Sequence, residues 1–269
     1  MLNASWFRVL TFFGVWAIFW LPLALLVSRF TDWQPGEPLT PKQKLIFLAS
    51  LYLLVPFAIG WKLKAESLTL ASLGIATVPN AIWYTTLGLS LSLASLITVF
   101  SLETAFGLID WHWQNAERLL SLSLPVLILS LLISFVEEAV FRGYTFTTLS
   151  SDCSFLLATL VSSLIFALLH LIWERTQTLP QIPGLWLMGI VLVVARVVGE
   201  NTIYLPLGLH AGWIWGLTCI DSAQLLTYQH KNHWISGINQ QPLAGVAGIV
   251  CLILTYFAIS SLCKIKYFA

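Results

Sequence analysis

The chain has 269 residues, of which 58% are hydrophobic and 9% charged, with a formal net charge of +1. A soluble domain carries about 25% charged residues, so this composition excludes a water-soluble globular protein. The near-neutral balance also gives nucleic acid no electrostatic footing. Apolar runs close to the roughly 20 residues that cross a bilayer core recur along the whole length. The fold class is therefore all-α, a polytopic transmembrane helical bundle. Runs such as IVLVVA and LILSLLI lack the alternation of apolar and polar residues that a membrane β-barrel needs.

In chain order, eight spans are expected at 6–28, 44–61, 82–101, 119–140, 153–171, 185–199, 204–220 and 242–263. The first is longer than a signal-peptide core and carries no A-x-A cleavage site, so it reads as a retained span. The loop that follows, RFTDWQPGEPLTPKQK, is rich in proline and charge and is solvated. Segment 62–81 is weakly amphipathic and reads as interfacial. Segment 221–241 is polar and leads into the last span. Tryptophans 33, 61, 83, 111, 113, 173, 186 and 234 fall near span ends, as an interfacial aromatic belt requires. Lysine and arginine divide almost evenly between alternate loops and favour cytoplasmic termini by a narrow margin. Cys153, Cys219, Cys251 and Cys263 are scattered and read as small apolar residues of helices.

Charge inside a membrane is costly and marks function, so the stretch FVEEAVFRGY (135–144) stands out at the end of an uncharged run. On a helix Glu138 and Arg142 are four apart, acid first, the favourable order for an ion pair. Glu137 points about 100° away from Glu138 and has no basic partner on its own helix. One carboxylate reads as paired and structural, the other as available for general-base work; a structural knot of all three residues is the competing reading. Two histidines on later spans accompany them. His170 follows Phe166 by four residues at the end of SSLIFALLH, where an interfacial or capping role is the plainer explanation. His210 lies in YLPLGLHAGWIWG, where Pro206 suits a first helical turn. Gly208, Gly212 and Gly216 form a small-residue ridge there. His210 sits about 200° from that ridge. If the ridge packs on one neighbour, His210 faces a central cavity. His112, His230, His233, Asp110 and Glu117 fall in polar connections, and Arg196 with Glu200 has the spacing of an ordinary pair near a helix end.

Taken in order, EExxxR (Glu137, Glu138, Arg142), FxxxH (Phe166, His170) and a later helical His210 resemble the CPBP family. That family comprises the type 2 CAAX prenyl endopeptidases and the Abi proteins. The resemblance covers roughly 119–220 and implies an intramembrane endopeptidase acting on a membrane-associated peptide or protein, CAAX-type or another. It implies Glu137 as the residue that activates water, His170 as its assistant, and His210 as the group that holds the water or stabilises the oxyanion. Glu138 and Arg142 would buttress the site and Phe166 would line it. One position departs from the pattern. The prenyl endopeptidases continue as HxxxN, with the asparagine donating to the oxyanion, whereas position 214 here is isoleucine. Bacterial members are looser there, so the departure points to that branch. No cofactor is required by these residues alone; a divalent metal such as zinc, held by Glu137, His170 and His210, is the other option that the family leaves open.

Divided on this basis, the chain has N-terminal spans and loops at 1–118, a core at 119–220 and a C-terminal loop with the last span at 221–269. All belong to one integrated membrane domain. The expected partners are the lipid bilayer and a membrane-bound peptide substrate. The expected location is a plasma membrane for a bacterial chain, or a thylakoid in a photosynthetic cell. Two readings of other classes stand beside the peptidase. One is a catalytically silent interaction or scaffold protein of the same fold, which Ile214 favours. The other is a transporter with a carboxylate proton relay, although the inverted repeats and broken-helix pairs common in such folds are not evident.

Overall fold

Two prolines and one glycine ridge decide much of the architecture. The computed structural model describes residues 4–34, 37–76, 79–173, 175–229 and 234–266. His230 and His233 lie outside the described residues, as does the side chain of Cys263. The chain opens with α1 (Ser5–Phe30). Next comes α2 (Pro41–Tyr52), started by a capping box in which Thr40 and Gln43 satisfy one another's exposed backbone donors. Helix α3 (Val55–Ala65) follows after a two-residue turn. Pro56 has no N–H to give the carbonyl of Tyr52 four residues back, so the second span breaks there instead of running straight through.

Helix α4 (Ala81–Ala105) leads to a three-residue strand β1 (Ile109–Trp111). Helix α5 (Ala116–Glu138) then passes without interruption into a wide π-helical turn (Ala139–Thr145) and α6 (Phe146–Leu149). Ser154 caps α7 (Phe155–Leu169). The short α8 (Arg175–Thr178) precedes α9 (Ile182–Val198), then α10 (Tyr204–Ala223), β2 (Leu226–Tyr228) and α11 (Val246–Lys266). Six of these stretches are long and apolar enough to cross a membrane, and Val246–Leu262 adds a shorter apolar helix. All eight expected spans appear as helices, but 204–220, which forms α10, is not among the stretches long and apolar enough to cross a membrane. The fourth span reaches well past residue 140, and the last begins at 246 because 242–244 form a separate 3-10 turn. The chain is a multi-pass integral membrane protein, and large apolar side chains such as Ile18, Ile97, Leu132 and Phe257 face outward, as lipid contact demands.

At the centre stands α10, most of whose first ten residues are buried. It packs along α4 and α5. The glycine ridge meets α4 as expected: a side chain at Gly208 would strike the Thr85 carbonyl, one at Gly212 would strike Ser92, and one at Gly216 would reach Leu96. Helix α4 answers with its own Gly88, set against the Leu205 carbonyl. Backbones this close leave His210 on the opposite face, turned toward the end of α5.

Most described residues of segment 62–81 are exposed or half-buried, and a few anchor it to the bundle. Lys62 is buried and donates to Thr11 and Glu66, and Leu73 is fully buried. Gly74, at φ +76°, presses against Asn201 and accepts the Ile203 N–H. Leu73 thus packs against the π turn beside Gly143. An unexpected element is the antiparallel β1–β2 pair, Ile109 opposite Tyr228. It brings His112 Nε2 to 2.9 Å from Thr227 Oγ1. At the far end Asp152 accepts the Ser5 N–H at 2.6 Å, a bond that holds its carboxyl below the usual aspartate range.

Candidate active site

Four helices meet where α5 gives way to the π turn. An α-helix carrying FVEEAVFRGY would continue its i→i+4 ladder; here the turn widens, and the Thr145 hydroxyl donates to the Val140 carbonyl five residues back. Such wide turns are often found at functional sites. The expected ion pair is present: Arg142 Nη1 donates to Glu138 Oε1 at 3.0 Å, with both side chains essentially inaccessible. Arg142 also lies 4.4 Å from the Phe166 ring centre and gives its other amino group to the Gly189 carbonyl. Its own carbonyl accepts from Arg196, which also donates to Thr147 Oγ1 at 2.8 Å and to the Asn201 carbonyl. Arg196 therefore supports the backbone beneath the site.

Glu138 receives a second donor, His210 Nδ1 at 2.8 Å. A carboxylate that already accepts from an arginine can only accept from the imidazole as well, so the His210 proton is on Nδ1 when the ring is neutral. Its Nε2 then faces Glu137 Oε2 at 3.5 Å. His170 is held in the same manner. Nδ1 sits 2.8 Å from the Phe166 carbonyl, which can only accept, so Nε2 is the free end of this ring too. The Phe166 ring lies edge-on to both imidazoles, at 4.7 and 5.8 Å between centres. It fixes their spacing without offering either a polar contact.

Glu137 has the least constrained carboxylate. It finds no cation on its own helix, as expected, but Tyr52 of α2 donates to its Oε1. Oε2 has no hydrogen-bond partner and looks toward His210. Glu137, His170 and His210 all line a cavity of about 180 Å³, whose remaining walls include Phe100, Met188, Trp213, Ile214 and Leu252. The Trp213 N–H is taken up by Ser95 Oγ at 3.0 Å. Ile214 thus presents only hydrocarbon where an asparagine would present a donor.

A resident catalytic zinc needs three protein ligands and an open position. Among the described residues no three His, Cys, Asp or Glu side chains are grouped to hold a metal ion. In His210, Nδ1 is committed to Glu138, which leaves Nε2 as the nitrogen on the side of Glu137.

All six residues named from the sequence lie in this one neighbourhood. Tyr52 was not among them: nothing in its local sequence marks it, and only the break at Pro56 hints that this part of the span is special. Compared with known proteins, residues 119–216 match the family described as Type II CAAX prenyl endopeptidase Rce1-like. No curated protein and no solved structure shows a significant match to the chain. The matched segment runs from α5 through most of α10 and holds every residue of the cluster except Tyr52. It supports the resemblance to the CPBP family over that segment.

Proposed function

From that similarity and the cluster's geometry, we propose that the chain is an intramembrane endopeptidase that hydrolyses a peptide bond near the membrane surface, with water activated by Glu137. The single observation that carries the reading is that Glu137, whose Oε2 has no hydrogen-bond partner, lines one apolar cavity together with His170 and His210. Water held between Glu137 Oε2 and His170 Nε2 loses a proton to the carboxylate as its oxygen bonds to the scissile carbonyl carbon. The carbonyl electron pair moves onto oxygen. The proton passes from Glu137 to His210 Nε2, 3.5 Å away, and the imidazolium, steadied by Glu138 at Nδ1, faces the oxyanion as a donor. As the intermediate collapses the C–N bond breaks, and the same proton leaves with the amine. Hydrocarbon walls exclude bulk water and strengthen each of these charge interactions.

The apolar lining favours a peptide with aliphatic residues or a lipid anchor beside the cleaved bond. The test uses purified protein in proteoliposomes and a quenched fluorescent peptide ending in cysteine, two aliphatic residues and a free carboxylate, with and without a farnesyl group on the cysteine. Cleavage by wild type that disappears in Glu137→Gln and His170→Gln is expected. An inert wild type, or a Glu137→Gln variant as active as wild type, overturns the proposal and puts the silent-scaffold reading first.

A further inference from the structure

We infer that Tyr52 is a positioning residue for the reactive carboxylate, an inference that rests on the peptidase reading above. Tyr52 lies far outside the segment that matches the endopeptidase family, 85 residues before the glutamate it touches. Its place follows from the chain's own chemistry. Pro56 ends the hydrogen-bond ladder of α2 just after Tyr52. The end of α2 is tied to α1, where the Trp16 indole donates to the Leu51 carbonyl and the Trp20 indole to Ser50 Oγ, each at 3.0 Å. Between these ties the Tyr52 phenol is delivered to Glu137 Oε1.

A carboxylate has two equivalent oxygens and a freely turning bond, so one fixed donor decides which oxygen is spent and which is presented. Tyr52 takes Oε1. Oε2 is left without a hydrogen-bond partner, facing His210 Nε2 and the cavity. Tyr52 does not itself line the cavity, so it acts through Glu137 and not on the substrate. The break in the second span thus falls directly after the residue that holds Glu137.

The experiment measures kcat, KM and unfolding temperature for wild type, Tyr52→Phe, Glu137→Gln and the double variant in proteoliposomes, with the farnesylated quenched peptide as probe. For Tyr52→Phe, kcat falls roughly 10- to 100-fold, the loss that goes with a hydrogen bond to a charged group. KM stays near wild type, the unfolding temperature falls by no more than the few degrees that one hydrogen bond accounts for, and in the Glu137→Gln background the phenylalanine has no further effect on turnover. Wild-type turnover by Tyr52→Phe, or a raised KM at unchanged kcat, overturns the inference. So does a kcat loss matched by a large loss of stability, because that describes a mere tie between α2 and α5. If the phenylalanine variant does not fold, difluorotyrosine at position 52 keeps ring and hydroxyl while making the phenol a stronger donor. A lower kcat at unchanged KM then supports the assignment, and an unchanged kcat removes it. An inert wild type sinks the peptidase reading instead; an inactive Glu137→Gln beside a fully active Tyr52→Phe sinks this inference alone.

Discussion

Replacing Arg142 by methionine tests whether the charged core beneath the cavity is as tightly bound as its distances imply. Methionine keeps the length of the side chain and removes the guanidinium. Glu138, with no accessible surface, then loses its 3.0 Å donor and keeps only His210 at 2.8 Å. Removing one partner of a buried pair costs about 3–5 kcal/mol, because the remaining charge is stranded. The contact with the Phe166 ring and the donor to the Gly189 carbonyl vanish together with it, so the upper part of that range is expected. At roughly 2–4 °C per kcal/mol for a chain of this size, the unfolding temperature in detergent drops by roughly 10–15 °C. Adding Glu138→Gln to Arg142→Met removes the stranded charge and recovers much of the loss. A drop of less than about 2 °C for Arg142→Met, or a double variant worse than the sum of the two singles, would refute the reasoning: the carboxylate would then be relieved by some other group, and the pair would not be the support of the site.

Two further substitutions probe the packing and the departure at position 214. Gly208→Val places a branched carbon against the Thr85 carbonyl; overpacking of this kind costs about 1–3 kcal/mol, and since His210 is two residues on, activity falls more than stability, as paired thermal and cleavage assays will read. Ile214→Asn restores a donor on the cavity wall; one oxyanion donor contributes about 10²–10³ in rate, so a clear rise in kcat on the farnesylated peptide is expected, and no rise shows that His210 already fills the role.

The helical membrane class and the polar residues that meet were legible in the chain because hydrocarbon forbids casual charge: Glu137, Glu138, Arg142, His170 and His210 stood out against apolar runs. Helical geometry also carried information. The four-residue spacing gave the Glu138–Arg142 pair, and the ridge of Gly208, Gly212 and Gly216 correctly left His210 on the face away from α4. Contacts between distant segments were not legible. Tyr52 looks like any aromatic residue of a span until the fold brings it to Glu137, and the β1–β2 pair joins two loops more than 100 residues apart whose sequences read only as polar. Nor does the π turn at Ala139–Thr145 have a sequence signature. The contacts of Gly74 with Asn201 and Ile203 were hidden for the same reason, since those residues lie far along the chain.

The most direct test of the central claim measures two quantities on the same preparations of wild type and Glu137→Gln: the rate of peptide cleavage in proteoliposomes and the unfolding temperature. Functional sites are held at some cost to stability, and Oε2 of Glu137 is buried without a hydrogen-bond partner. The account predicts cleavage reduced by about 10³ or more, in line with the loss of a general base, at an unchanged or raised unfolding temperature. Cleavage that survives the substitution, or a protein that unfolds many degrees earlier without Glu137, would contradict it and would make the paired glutamates a structural knot.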